Sequence, residues 1–138
     1  MITLDEYVGP WANSPDWTDE RRANAHALLL PATWALEKIM REAGIVFRDN
    51  PATGSGISGQ TFGGFRPQSC PIGAPHSNHK EGLAVDRYDP AGEIDAWCMS
   101  NQHELERCGI WIEHPSATLH WSHWQCVSPK SGRRVFLP

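Results

Sequence analysis

A chain of 138 residues with twelve lysines and arginines against sixteen aspartates and glutamates carries a formal charge of −4. That is the wrong sign for a protein whose affinity rests on neutralising phosphates, so nucleic acid is not an expected partner. No segment reaches the roughly 18 apolar residues of a membrane span, and Met1 to Tyr7 has neither a basic region nor an apolar run, so neither a membrane span nor a signal peptide is expected.

The length suits a single domain over residues 1–138, expected to act as a monomer. A hydrophobic fraction of 40% with seven tryptophans argues for a packed globule, while twelve glycines and eleven prolines predict many turns. The fold class that follows is α+β, with a small antiparallel sheet flanked by helices. Cys70, Cys98, Cys108 and Cys126 form no Cys-x-x-Cys pair, so no zinc knuckle or thioredoxin-like motif is indicated and free thiols are expected.

In chain order, residues 1–17 carry Pro10, Pro15 and the aromatic residues Tyr7, Trp11 and Trp17, and read as an irregular arm packing its rings onto the domain. Thr18 caps a helix whose first turn holds Asp19 and Glu20. Pro31 removes a backbone donor and predicts a break or kink, after which Leu36, Ile39, Met40 and Ala43 form one apolar stripe ended by Gly44. Ile45 to Phe47 is a strand candidate, Asp49 to Gly59 a mobile connector, and Thr61 to Pro67 a strand that delivers Arg66 to a turn. Glu93 to Cys108 reads as one helix closed by Gly109, with His103 on its solvated face. Ile110 to Glu113 and Thr118 to Gln125 read as two strands of a hairpin with a four-residue loop, which pairs Glu113 with Thr118.

The chemistry concentrates in Ser77-Asn-His-Lys-Glu-Gly-Leu-Ala-Val-Asp86. His79 offers an imidazole nitrogen and Asp86 a carboxylate oxygen, two of the three protein ligands an open zinc site needs. Gly82 allows a turn after the histidine, and a strand starting at Leu83 puts Gly82, Ala84 and Asp86 on one face. A histidine and an aspartate seven positions apart equally suit a polar loop residue and a strand end. For the third ligand both His120 and His123 qualify. Strict alternation sets them on opposite faces, so at most one belongs to the metal unless a bulge intervenes.

The pattern Ser77-x-His79-x-x-Gly82-x-Ala84-x-Asp86 resembles the signature of the zinc peptidases that cleave D-alanyl-D-alanine, a group that includes phage endolysins and shares its fold with the hedgehog signalling domain. The resemblance implies zinc held by His79, Asp86 and His123, the last from the Trp121-Ser122-His123 element, with the basic 129–136 tail similar to phage-type members. Gly64-Phe65-Arg66 is similar to the family's Gly-aromatic-Arg element, which implies that Arg66 holds the carboxylate or carbonyl of the scissile peptide. The implied activity is hydrolysis of a peptide bond in the peptidoglycan stem peptide, as a carboxypeptidase or an endopeptidase, acting on the cell wall and encoded by a phage or prophage.

Several relatives place a glutamate three residues before the final ligand as the proton carrier, and this chain has His120 there. Glu113 is the other candidate, since hedgehog-like members end the preceding strand in a glutamate, although the four-residue loop sets it on the face of His120 unless a bulge lies near Trp121. In the alternative register His120 is the ligand and His123 structural. Two further readings are an inactive module of the same fold that binds cell wall or a virion partner, and a non-haem iron oxygenase, whose facial triad also has two histidines and a carboxylate.

Overall fold

The computed structural model describes residues 1–59 and 61–138. Four short strands, β1 (Ala84–Tyr88), β2 (Trp111–Glu113), β3 (Trp121–Gln125) and β4 (Val135–Phe136), form one sheet in the order β1-β3-β2-β4. β3 runs antiparallel to both neighbours, and β4 closes the edge parallel to β2. The expected α+β class and largely antiparallel sheet are therefore present.

Alternation divides this sheet into an apolar and a polar face. Val85, Ile112 and Trp124 enter a core completed by Leu29, Leu36, Met40, Ile94, Leu105 and Ile110 from the helices and their ends. The opposite face carries Asp86, Glu113, Trp121, His123 and Gln125, all of which line a cleft.

Several local expectations change because side chains satisfy backbone groups in ways the pattern of apolar residues does not report. The N-terminal arm, expected to be mostly irregular, contains a short helix α1 (Leu4–Val8) capped by the Thr3 side chain, with Asp5 and Glu6 in its first turn, and its Trp17 ring packs onto Phe65 as expected. Tyr7 is buried, its hydroxyl donates to Ala84 O at 2.9 Å, and its own carbonyl accepts from Phe65 N at 3.0 Å. This arm is thus stitched to the strand that carries Asp86.

Pro31 does not break its helix. Thr18 caps α2 (Asp19–Asn24) as expected, and α2 runs into a π-turn (Ala25–Leu29) and then α3 (Leu30–Glu42). Leu30 N–H bonds to Ala25 O, the wider spacing of a π-turn, so the strand of carbonyls facing the proline ring is displaced and the helix continues. Conversely, the helix expected over residues 93–108 is interrupted at Asn101, which separates α4 (Glu93–Ser100) from α5 (Gln102–Cys108). The Asn101 side chain donates to Trp97 O at 2.8 Å, offering the backbone a competing partner.

Residues 45–47 and 61–67 form no strand. The second segment instead runs between the arm and β1, with Asp86 N donating to Gly63 O at 2.7 Å and Arg66 N to His79 O at 3.2 Å. Gly64 is required there, because a Cβ would stand 2.1 Å from Tyr7 O. The Asp49 to Gly59 connector is turned back on itself by an Asn50↔Ser55 bridge.

The connection from β2 to β3 also differs from the expected four-residue loop. It contains a 3₁₀ turn (Pro115–Ala117), and Thr118 is withdrawn from the strand by a 2.9 Å hydrogen bond to the buried Asp95. The register is Trp111↔Gln125 and Ile112↔Trp124, which continues to set Glu113 opposite His123 rather than Thr118. No bulge is needed to bring them to one face.

Behind the sheet, next to Asp86, Arg87 is buried between the rings of Phe47 and Trp124, 4.8 and 5.0 Å from their centroids. It pairs with the buried Glu37 of α3. Burial alone would raise the Glu37 pKa, but the Arg87 charge and hydrogen bond outweigh it and hold the carboxyl below its ordinary range. Replacing Glu37 by alanine leaves an unpaired buried cation and is expected to cost about 3–5 kcal/mol in denaturant unfolding. The double replacement Glu37→Leu with Arg87→Met should recover most of that loss, and a Glu37→Ala cost under about 1 kcal/mol would contradict the role assigned to the pair.

Candidate metal centre

The turn that carries His79 is built by its neighbours. Ser77 Oγ accepts from His79 N at 3.3 Å and caps a 3₁₀ turn (Asn78–Glu81). Gly82 then takes φ 76°, and a Cβ at this position would lie 2.5 Å from Arg21 O. Only glycine lets the chain turn so close to the first long helix and enter β1 with Asp86 facing the cleft.

Register completes the group. β1 and β3 pair Asp86 with His123, and the turn brings His79 over the same face. Asp86 Oδ1 lies 3.2 Å from His79 Nε2 and 2.9 Å from His123 Nδ1, and the three candidate ligand atoms all fall within 4.8 Å of one another. All three residues are buried.

The outer nitrogen of each ring is already engaged. His79 Nδ1 is 2.8 Å from Gly64 O, and a carbonyl can only accept, so this nitrogen carries the proton and Nε2 turns its lone pair inward. For His123 the argument runs through Gln125. The Gln125 amide nitrogen donates to Val127 O at 2.8 Å, which turns Oε1 towards His123 Nε2 at 2.9 Å. Nε2 then carries the proton and Nδ1 presents a lone pair. Two lone pairs and a carboxylate oxygen thus converge on one point, an arrangement that repels itself unless a cation or proton lies between them. Histidine ligands whose second nitrogen is fixed by a carbonyl acceptor are the usual supporting shell of a metal site.

The electrostatics agree with this reading. When protons rather than a metal lie between these groups, burial alone would push the Asp86 carboxyl up, but the charge of His79 and hydrogen bonds from both protonated histidines hold it well below the usual carboxylate range. Burial alone would depress His123, yet the hydrogen bond and charge of Asp86, with smaller contributions from Glu113 and Gln125, raise its pKa. A point that favours a proton this way favours a metal cation by the same field. Tetrahedral zinc with bonds of about 2.0–2.1 Å separates its ligands by about 3.3 Å, close to the two distances from Asp86. Those two separations suit such an ion.

The group opens into a cleft of about 390 Å³ whose walls include Arg66, Ser77, Glu113, Trp121 and Gln125. Phe136 of β4 stands edge-on to the His123 ring, 6.3 Å between centroids. Of the residues singled out from the sequence, His79, Asp86, His123, Arg66 and Glu113 are brought together here. His120 is not: it is exposed, takes φ 75°, and faces Pro90 O at 3.2 Å outside the cleft. Its withdrawal follows from the Thr118 anchor, which makes residues 118–120 a turn instead of strand. Gln125 was not singled out by sequence, although its position two residues after His123 puts it on the same strand face.

No protein-family model, curated protein or solved structure matches the chain. Among the described residues, no helix is long and apolar enough to cross a membrane.

One divalent ion per chain is expected, and His79→Ala, Asp86→Ala and His123→Ala should each lose it while His120→Ala retains it. Metal analysis of protein purified without added metal reads this directly, and full occupancy in any of the first three contradicts the assignment. Gln125→Leu removes the acceptor that fixes the His123 tautomer and should lower metal affinity about 10–100-fold at unchanged stoichiometry. Titration against a chromophoric chelator measures that loss.

Proposed function

We propose that this chain is a zinc-dependent peptidase of the hedgehog/DD-peptidase fold that hydrolyses a peptide bond in the stem of bacterial peptidoglycan, acting on the cell wall as a phage or prophage product. The observation that carries the reading is the convergence of His79, Asp86 and His123 beside Glu113 in one cleft. The substrate class rests on the resemblance of the Ser77 to Asp86 motif to the D-alanyl-D-alanine peptidases.

A zinc ion held by these ligands would supply Lewis-acid chemistry, polarising a carbonyl and making water acidic near neutral pH. The chain's own residues supply the rest. Glu113, half-buried and opposite His123 across the β2–β3 pair, is the carboxylate placed to accept a proton from the attacking water and return it to the leaving amine. His120 is exposed and turned away, so this role falls to Glu113. Trp121 lines the cleft with apolar surface against which a peptide can lie.

One observation favours a second reading, an inactive module that keeps the metal and binds cell wall or a virion partner: the position where several relatives carry their base holds a histidine outside the cleft. Glu113→Gln separates the two. It keeps the shape but removes the proton acceptor, so turnover should fall by about 10²–10⁴ with metal still bound. The assay is release of D-alanine or cleaved stem peptides from purified peptidoglycan. A metal-loaded wild type that releases neither supports the binding module instead.

A further inference from the structure

Arg66 is expected from the sequence to hold the carboxylate or carbonyl of the substrate, but its surroundings give the guanidinium other work. Its Nε donates to Phe62 O at 2.6 Å, Nη2 to Asp86 Oδ2 at 3.2 Å, and Nη1 reaches Ile72 O at 3.5 Å. The residue is 8% exposed. Gly73, at φ 80°, passes so near that an added Cβ would stand 2.7 Å from Nη1. All three guanidinium nitrogens are therefore directed at protein acceptors.

The division of the Asp86 carboxylate is the informative part. Oδ1 faces both histidine nitrogens, and Oδ2 is taken by Arg66. Binding of one oxygen by a forked, permanently charged donor leaves the other as a single ligand of defined direction. The same guanidinium also reaches the carbonyl of Ile72, at 3.5 Å, in the segment that leads to Ser77 and His79. One side chain thus directs one candidate ligand, Asp86, and touches the segment that precedes another.

A second observation bears on what the cleft can receive. Among the described residues lining it, Arg66 is the only lysine or arginine, while Asp86 and Glu113 are acidic. Lys80, one residue after a ligand, is buried with Nζ donating to Gln68 O at 3.0 Å. Beyond the metal, a peptide's terminal carboxylate would find no uncommitted lysine or arginine among the described lining residues, only His76, and would face Glu113. A neutral internal amide meets no such penalty.

We propose that Arg66 is a positioning residue for Asp86 and the 67–76 segment rather than an anchor for a substrate carboxylate, and that the bond cleaved is consequently internal to a peptide. The second half rests on the peptidase reading; the first does not. The test has two arms. In the first, zinc and cobalt affinities of wild type, Arg66→Lys and Arg66→Ala are measured by chelator competition. Arg66→Ala should bind about 10–100-fold more weakly with altered cobalt absorption bands, Arg66→Lys should fall between, and methylguanidine should restore part of the alanine variant's affinity. In the second arm, at saturating zinc, wild type is given stem peptides with free and with amidated C-termini. Cleavage should be equal within about threefold, and Arg66→Ala should lose the same factor on both, in kcat rather than KM. Unchanged metal affinity in Arg66→Ala, with a loss confined to the free-carboxylate peptide, would overturn the proposal and return Arg66 to substrate anchoring. Weakened metal binding without cleavage of either peptide by wild type would sink the peptidase reading while leaving the positioning role supported.

Discussion

The antiparallel pairing of Asp86 with His123 is the constraint on which the rest depends. It sets a carboxylate and an imidazole side by side on one sheet face, within hydrogen-bond distance, where both line a cleft. A slip of β1 by one residue would turn Asp86 into the apolar core and bring Arg87 or Val85 into the cleft beside His123. The register must therefore be held firmly, and the reverse face does this. Val85 and Trp124 are fully buried, and the Arg87 guanidinium, seated between Phe47 and Trp124, is paired with the buried Glu37. The buried ion pair and the polar cluster are thus two sides of one strand, and each makes the other's register costly to change.

Around that pairing the chain spends its unusual backbone positions on approach. Gly82 lets the His79 turn pass Arg21, Gly64 lets the Arg66 segment pass Tyr7, and Gly73 lets the following loop close on the guanidinium. At Gly82 and Gly64 the neighbour is backbone, a contact that a side chain would forbid. Gly64 O also accepts from His79 Nδ1, so the glycine that permits the close passage also provides the carbonyl that fixes the ligand's tautomer. Segments distant in sequence are in this way drawn onto a single carboxylate.

Much of this was legible in the residues themselves. The Ser77 to Asp86 motif, the Gly82 turn, the Thr18 cap and the start of a strand leading to Asp86 follow from local chemistry, and local chemistry is what the structure uses there. What was not legible depended on partners remote in sequence. The loop between β2 and β3 could not be counted, because Thr118 leaves the strand for Asp95, twenty-three residues away. That single bond moves His120 out of the cleft and sets Glu113 opposite His123. Arg87 beside Asp86 reads as an ordinary strand charge until Glu37 is placed behind it, fifty residues away. Pro31 shows the reverse case, a strong local signal absorbed by one wide turn of helix. Arg66 was found by motif, yet its bonds to Phe62, Asp86 and Ile72 suggest a different task.

The central claim is that the imidazoles of His79 and His123 and one Asp86 oxygen bind a metal together. X-ray absorption at the zinc edge of the purified, zinc-loaded chain measures that shell directly. The account predicts four light-atom neighbours at about 2.0–2.1 Å with the multiple-scattering pattern of two imidazoles, unchanged in a variant lacking all four cysteines. A sulfur shell near 2.3 Å, or a loosely held oxygen shell without imidazole scattering, would place the metal elsewhere on the chain and contradict it.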